Sequence, residues 1–166
     1  MLDRIAKEWQ CLSHLSAQLK ELKAFAEELG FHYYSFAFTS SAHSINPSNL
    51  LPGGDPLVQA ALEFRPARLR HSSIPLVWEP KAFAQTPLHW PEAQKLGLRH
   101  GWIQPLHYGA APSSFALLRP HVSVSINELY QKAATVMWLA KHLHLAAMFE
   151  AGVTDTHALY GPSCAR

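Results

Sequence analysis

The sequence is poor in charged residues and in cysteine. Asp, Glu, Lys and Arg make up 16% of the 166 residues against 48% hydrophobic residues, which excludes a disordered chain and supplies enough apolar material for one core. The two cysteines, Cys11 and Cys164, form neither a CxxC spacing nor a disulfide framework. No apolar run is long enough to span a membrane, and charged residues soon follow Met1, unlike a secretory signal. We therefore expect a cytoplasmic protein that does not engage a membrane.

Long basic runs are also missing, which argues against a nucleic-acid partner. The formal net charge is +2 with neutral histidines. The basic cluster at residues 65–70 is short and interrupted by Pro66, and we interpret it as a solvated loop. Binding to nucleic acid usually needs a longer basic face. We expect no DNA binding by this chain alone.

Eleven histidines are present, but no metal-binding or catalytic motif accompanies them. His142 and His144 have the wrong spacing to place two metal ligands on one face of a helix, and no HExxH or Cys-His set occurs. We interpret both as cations near the C-terminus of a helix. Ser, His and Asp occur without a GxSxG elbow. We therefore expect no metal, no cofactor and no enzymatic activity.

The periodicity of apolar residues predicts an α+β domain, with helices packed on an antiparallel sheet. Helices are predicted at Leu15–Leu29, Asp55–Phe64, Leu88–Leu96 and Asn127–Glu150, and strands at Phe31–Thr39, Ile74–Trp78, Gly101–Tyr108 and Ser114–Val124. The domain is expected to span residues 1–150, followed by a polar tail or linker at 151–166. Gly30 is the expected left-handed residue after the first helix.

Alternation along the first strand places small side chains on one face, which leaves room for a ligand. This face carries Tyr33, Ser35, Ala37 and Thr39, and the opposite face carries Tyr34, Phe36 and Phe38. The last predicted helix is apolar over a broad face formed by Ile126, Leu129, Tyr130, Ala133, Met137, Ala140, Leu143, Ala147 and Met148, and Trp138, Leu139 and Leu145 widen it. Two interpretations stay open: a central core helix, or a helix that also contacts a partner subunit.

The segment Ile74–Gly109 carries four short motifs in order. They are Pro75-Leu76-Val77-Trp78, Trp90-x-Glu92-Ala93, Gly97-x-x-x-Gly101 and Pro105-Leu106. In this order and spacing they resemble the autoinducer-binding domain of LuxR-type quorum-sensing regulators, and the resemblance extends loosely over residues 15–150. It implies an α/β/α sandwich around a central antiparallel sheet of about five strands, distantly similar to PAS and GAF sensory domains. It also implies a dimer.

We expect a pocket between the sheet and the helices for a small apolar or amphipathic ligand. Its predicted lining is Tyr33, Ser35, Ala37, Asp55, Trp78, Phe83, Trp90, Ala93, Leu98, Ile103 and Leu118. In the family the ligand is an acyl-homoserine lactone. A Trp indole donates to the lactone carbonyl, a Tyr one helical turn later assists with the acyl carbonyl, an Asp of an Asp-Pro pair accepts from the ligand amide, and a late-strand Ser or Thr often helps.

This sequence departs from the family at the head-group positions. The lactone Trp falls on Asp55, the Tyr on Gln59 and the late-strand Ser on Leu118. The Asp-Pro pair falls nearest Arg65-Pro66; alternatively, Asp55-Pro56 is itself that pair. No Trp occurs between Trp9 and Trp78, so the lactone donor is missing under either alignment. We expect a different ligand or none.

Three functions are compatible with these patterns. The first is the sensing domain of a LuxR-type regulator. LuxR-type regulators carry a helix-turn-helix domain after this one, whereas this chain stops at Arg166, so either the chain was cut at the linker or the domain stands alone. The second is a lone domain that dimerises with a full-length LuxR-type regulator and inhibits it. The third is a small lactone hydrolase.

Overall fold

The fold is an antiparallel sheet between two layers of helices, as the sequence analysis predicts. The computed structural model describes residues 2–10, 12, 14–109 and 111–152. Its helices are α1 (Leu2–Gln10), α2 (Leu15–Glu28), α3 (Gly54–Glu63), α4 (His89–Lys95) and α5 (Ile126–Glu150). Its strands are β1 (Tyr33–Thr39), β2 (Ser44–Ile45), β3 (Leu76–Val77), β4 (His100–Tyr108) and β5 (Ala111–Arg119), with 3₁₀ turns at Ala67–Leu69 and Pro80–Phe83. Both cysteines and the predicted linker from residue 153 onward lie outside the described residues.

The five strands follow the spatial order β2-β1-β5-β4-β3, and every neighbouring pair is antiparallel. At the centre of the sheet, Ala37 on β1 lies opposite Ser114 on β5, which lies opposite Pro105 on β4. Directly opposed residues share a face of the sheet, so these three small residues form one continuous surface. Ser113, the neighbour of Ser114, belongs to the other face.

One face of the sheet packs against α1, α2 and α5. The α1 residues Ile5 and Trp9 are fully buried there, and the Trp9 ring meets Phe25 of α2 edge to face. The β1 side chains on this face are Tyr34, Phe36 and Phe38, which confirms the predicted alternation. The sequence analysis does not predict α1, because its buried residues span only one helical turn.

The opposite face packs against α3, α4 and the Pro80–Phe83 turn. Its buried residues are Leu57, Val58, Ala61, Trp78, Phe83, Ala93, Leu98, Ile103, Ala116 and Leu118. The sheet is therefore covered on both sides. Access of a ligand to the sheet depends on the space between α3 and the sheet.

Two predicted strands have wrong boundaries. The strand predicted at Ser114–Val124 is observed at Ala111–Arg119. Pairing starts earlier because Gly109, at φ +69°, allows a tight hairpin, and it stops because Pro120 has no N–H for the ladder. The strand predicted at Ile74–Trp78 is reduced to Leu76–Val77, just after Pro75.

In the first turns of α5, part of the predicted apolar face is not covered by the core. Ile126 and Tyr130, predicted on the broad apolar face, are 72% and 74% exposed. Glu128 pairs with Arg119 and Lys132 donates to a carbonyl at the end of α2, so these two residues define the inward side. Ile126 and Tyr130 each lie two residues from Glu128, or about 200° around the helix axis. None of the described helices, α5 included, combines the length and apolar character needed to cross a membrane.

Candidate functional site

The aromatic and apolar side chains predicted to line a pocket pack against one another on the α3–α4 face of the sheet. Trp78, Phe83, Ala93, Leu98, Ile103 and Leu118 are buried in one cluster, and Tyr33 and Trp90 pack against it. The Trp78 and Phe83 rings lie 5.1 Å apart between centroids, and Trp78 Nε1 donates to the Leu98 carbonyl at 2.8 Å. The structure brings these residues together as a packed core. Contact between them and a ligand stays a prediction.

Open space lies beside this core, between α3 and the small side chains of the sheet. Two adjoining cavities of about 470 and 490 Å³ share Ala37, Thr39 and Gln59. The first is also lined by Leu62, Glu63, Arg65, Arg70, Pro105, His107, Pro112, Ser113 and Ser114. The second is also lined by Ser44, Asn46, Asp55 and Pro56. We call these two cavities together the α3 groove.

Of the predicted site residues, Ala37 and Asp55 line the α3 groove, and Ser35 adjoins it through its bond to Asp55. His107, Ser114 and Arg70 are not among the site residues predicted from the sequence. Strand alternation assigns His107 to one face of β4 and Ser114 to one face of β5, but it does not show that the two residues share a face of the sheet. Their position beside Ala37 depends on the register between strands, which a single sequence does not show.

Asp55 is held in a fixed orientation at one end of the α3 groove. Its Oδ1 accepts from Ser35 Oγ at 2.6 Å, and its Oδ2 accepts from Ser48 Oγ at 2.7 Å. Ser35 and Ser48 themselves form a bridge between β1 and the following loop. A carboxylate offers about four acceptor sites. Asp55 therefore keeps acceptor capacity beyond the two serines, on a residue that lines the second cavity.

Arg65 lies at the opposite end of the α3 groove and is buried, at 9% exposure, so the solvated-loop interpretation is wrong for this residue. Its guanidinium donates to the carbonyls of Leu62, Arg70 and Ser72, which tie the end of α3 to the next loop. Burial lowers its pKa from the usual arginine value, but an arginine side chain still stays charged in proteins. A permanent positive charge is therefore held inside the groove wall.

His107, on β4, shares this end of the groove with Arg65. Burial, followed by the charge of Arg65 and the neighbouring His71, lowers the pKa of His107 below the usual histidine value. The ring is therefore neutral at neutral pH. Its Nε2 is buried and has no hydrogen-bond partner among the described residues. An unpartnered buried nitrogen is unfavourable unless a ligand or water satisfies it.

A close Ser–His pair exists, but its hydroxyl belongs to the other face of the sheet. His144 Nε2 lies 2.9 Å from the Tyr108 carbonyl, which can only accept, so Nε2 carries the proton and Nδ1 accepts from Ser113 Oγ at 2.6 Å. Ser113 is paired with Phe38 and with Leu106, whose side chains lie in the α5-side core. Its hydroxyl thus faces away from the groove, which does not suit a nucleophile for a groove-bound substrate.

The interpretation of His142 and His144 as helix-end cations is wrong. Burial lowers the pKa of both imidazoles, and the His144 side chain is fully buried. His142 instead packs against Trp138, with 4.0 Å between ring centroids and the rings tilted by 42°. In the part of the chain that the structure describes, no three His, Cys, Asp or Glu side chains are grouped as a metal site would require.

Comparison with known proteins gives one family and one fold. A family model described as "Autoinducer binding domain" matches residues 54–147. SdiA in complex with octanoyl-rac-glycerol has a TM-score of 0.66 at 18% identity, covering 99% of this chain and 70% of that one. CepR2 from Burkholderia cenocepacia, an N-acylhomoserine lactone dependent LuxR family transcription factor, has a TM-score of 0.64 at 17% identity, covering 82% and 87%. The solution structure of residues 1–171 of E. coli SdiA has a TM-score of 0.62 at 19% identity, covering 87% and 97%.

No curated protein matches the sequence. At identities below a fifth, the likeness to the solved structures establishes the shared fold. The family match covers more than half of the chain, from the first residue of α3 into the last turns of α5. It includes both the packed aromatic core and most of the α3 groove. The chain therefore belongs to the family of autoinducer-binding domains, the quorum-sensing domains of LuxR-type regulators.

Proposed function

We propose that this chain senses a small amphipathic molecule, and that the polar part of this ligand contacts Asp55 in the α3 groove. The observation that carries the proposal is the double hydrogen bond from Ser35 and Ser48, which orients a carboxylate at the cavity wall. A preorganised acceptor of this kind binds a donor with little further ordering. The apolar part of the ligand would lie toward Ala37 and Leu62.

The placement of Asp55 and Gln59 supports a ligand other than the usual acyl-homoserine lactones. Both residues lie on α3, one helical turn apart, and both line the second cavity. This arrangement favours the alignment in which they replace the family's Trp and Tyr. An ionised Asp can only accept hydrogen bonds, so it cannot replace an indole N–H that donates to a lactone carbonyl. We expect acyl-homoserine lactones to bind weakly or not at all.

A ligand with hydroxyl donors suits Asp55 better than a lactone does. One similar protein, SdiA, was solved with octanoyl-rac-glycerol, a neutral acyl chain with a glycerol head. We propose that 1-octanoylglycerol binds this chain more tightly than N-octanoyl-homoserine lactone, which carries the same acyl chain. Isothermal titration calorimetry with the two ligands measures the difference. Submicromolar binding of the lactone would show that other residues have replaced the missing Trp.

The change Asp55→Asn tests the role of the carboxylate. Hydrogen bonds to a charged group are worth about 1.5–3 kcal/mol, so we expect 1-octanoylglycerol affinity to fall about tenfold to a hundredfold. The matched control is Asp3→Asn, because Asp3 is exposed on α1. Calorimetry measures both affinities, and thermal melting checks that Asp55→Asn stays folded. Equal affinity in the folded Asp55→Asn variant and the control would refute the role of Asp55.

The second candidate function, pairing with another LuxR-type chain, is favoured by an exposed apolar surface just before α5 and on its first turns. Val122, Ile126 and Tyr130 are 63%, 72% and 74% exposed, and Ile126 and Tyr130 lie one helical turn apart. Exposed apolar groups at helical spacing are typical of a surface that a partner covers. We propose that this surface mediates a homodimer, or a heterodimer with a full-length regulator that the lone domain would inhibit.

The double change Ile126→Glu and Tyr130→Glu should weaken dimerisation. Each buried side chain of this size contributes about 1.5–3 kcal/mol, so we expect the dimer Kd to rise by at least about tenfold. Leu88→Glu is the matched control, because Leu88 is 80% exposed at the start of α4, outside this surface. Analytical ultracentrifugation measures the Kd. A monomeric wild-type chain, or equal dimerisation in all three proteins, would contradict the proposal.

Sensing is favoured over lactone hydrolysis because the Ser113 hydroxyl bonds His144 on the side of the sheet away from the groove. With a net charge of +2, this chain alone is not expected to hold promoter DNA, whose binding depends on phosphate neutralisation. We place the protein in the cytoplasm, where LuxR-type regulators act.

A further inference from the structure

We infer that the ligand of the α3 groove carries a carboxylate, bound by Arg65 at the end of the groove away from Asp55. This inference rests on the proposed sensing function and names the chemical class of the ligand. It follows from the hydrogen bonds of Arg65, from the charge at this end of the groove, and from the separation of the two ends.

Arg65 has donors that none of the described residues accepts from. A guanidinium has five N–H groups. Nε donates to the Leu62 carbonyl at 3.0 Å, Nη2 to the Arg70 carbonyl at 3.1 Å and Nη1 to the Ser72 carbonyl at 3.5 Å. One N–H on each terminal nitrogen is then left, and two such groups match the two oxygens of a carboxylate.

The charge at this end of the groove is not balanced by the protein. Within the described part of the chain, no carboxylate lies within 4.0 Å of the Arg65 guanidinium. Arg70 and Glu63, the other residues with full charges that line the first cavity, are both exposed to water. A buried charge without a counter-charge is costly even when carbonyls accept from it, and an anionic ligand would lower that cost. His107 Nε2, which is buried and has no partner among the described residues, can donate to the same anion in the tautomer that carries its proton on Nε2.

The two ends of the groove are far enough apart to bind the two ends of one molecule. Asp55 and Arg65 are ten residues apart, at the start of α3 and just after its end. A rise of 1.5 Å per residue gives a separation of about 15 Å between the Cα atoms of the two residues. The two cavities join through Ala37, Thr39 and Gln59, so a chain can run between the ends. The expected ligand is therefore an acid with a hydroxyl or similar donor about 15 Å from its carboxylate.

A pair of probes that differ only in charge tests the inference. The probes are 12-hydroxydodecanoic acid, whose length is about that of the groove, and its neutral methyl ester. We expect the acid to bind at least about tenfold more tightly than the ester. Arg65→Gln should remove this preference, whereas Arg99→Gln, which changes an exposed arginine outside the groove, should keep it. Calorimetry at low salt measures all six affinities, those of two probes for three proteins.

Because Arg65 also holds a loop, its replacement risks unfolding, and a measurement on the unchanged protein gives an independent test. The groups around His107 are Arg65, Arg70, His71, His144 and Glu63. A bound carboxylate offsets the charge of Arg65, so the acid should raise the pKa of His107 in an NMR titration while the ester leaves it unchanged.

The outcomes separate this inference from the proposed function. Preference for the acid together with a raised His107 pKa supports it. Equal binding of acid and ester, with no change at His107, overturns the carboxylate assignment and leaves the sensing function standing. Failure of the acid, the ester and 1-octanoylglycerol to bind at about 1 mM overturns both.

Discussion

Gly101→Ala is expected to lower the free energy of unfolding by about 2–5 kcal/mol. Gly101 lies on β4 opposite Leu118, in the most extensive strand pairing of the sheet, with φ at +149°. A Cβ at this position would collide with the Leu117 carbonyl oxygen and come within 2.9 Å of Leu118 Cδ2. Backbone strain and steric overlap therefore add together.

Gly53→Ala is the control that separates these two contributions. Gly53 also has a positive φ, +92°, but the nearest atom to its Cβ would be Leu96 Cδ1 at 3.9 Å. We expect this variant to lose only the backbone term, about 1–2 kcal/mol. Urea denaturation of the two variants measures the difference. If Gly101→Ala were no less stable than Gly53→Ala, the close approach of β4 and β5 would be wrong.

The sequence predicts those parts of the fold that depend on local periodicity. The α2 helix follows from the helical periodicity of its apolar residues, and the two faces of β1 follow from the alternation of its side chains. Both predictions are confirmed. The exposed face at the start of α5 could not be predicted in this way. It depends on Glu128 and Lys132, whose partners lie on β5 and at the end of α2. Apolar periodicity places Ile126 and Tyr130 on one broad face with core residues such as Leu143, but it does not show which part of that face the core covers.

The candidate site is predicted less well, for a related reason. Its aromatic residues are visible as a motif, and they form a packed core. The open groove depends on small residues of three strands in register and on a basic residue after α3. Arg65 resembles a solvated charge in the sequence, yet it is buried because its guanidinium caps three carbonyls of its own loop. Such local capping is not encoded in periodicity.

Arg119→Met is expected to lower the free energy of unfolding by about 3–5 kcal/mol, because it leaves buried partners unpaired. The Arg119 side chain, 7% exposed, donates to Glu128 at 2.6 Å. It also donates to the carbonyls of Gly30, Val122 and Ser123, and it lies over the Phe31 ring. It thereby joins the ends of α2 and β5 to the start of α5. A loss of this size corresponds to a melting temperature lower by about 6–20 °C.

A surface arginine provides the control for Arg119→Met. Arg4 pairs with Glu8 and Glu28, but its side chain is 59% exposed. Ion pairs of so exposed a side chain are screened by water and contribute little to stability, so Arg4→Met should melt close to the wild type. Equal melting of the two variants would show that the Arg119 contacts contribute little.

The Arg119 pair should also appear in the pH dependence of stability. Arg119, more than Lys132, lowers the pKa of Glu128 from its ordinary value of 4.5. The unfolded chain therefore binds this proton more readily, so the stabilisation is complete above pH 4.5 and is lost as the pH falls through the folded pKa. His107, His142 and His144 also cost stability as the pH falls below 6.5, but they are present in both proteins and cancel in the comparison. The difference in unfolding free energy between wild type and Arg119→Met should thus be constant near neutral pH and shrink only below pH 4.5. A difference that stayed constant through the acid range would place the stabilisation in the carbonyl contacts of Arg119 and not in its pair with Glu128.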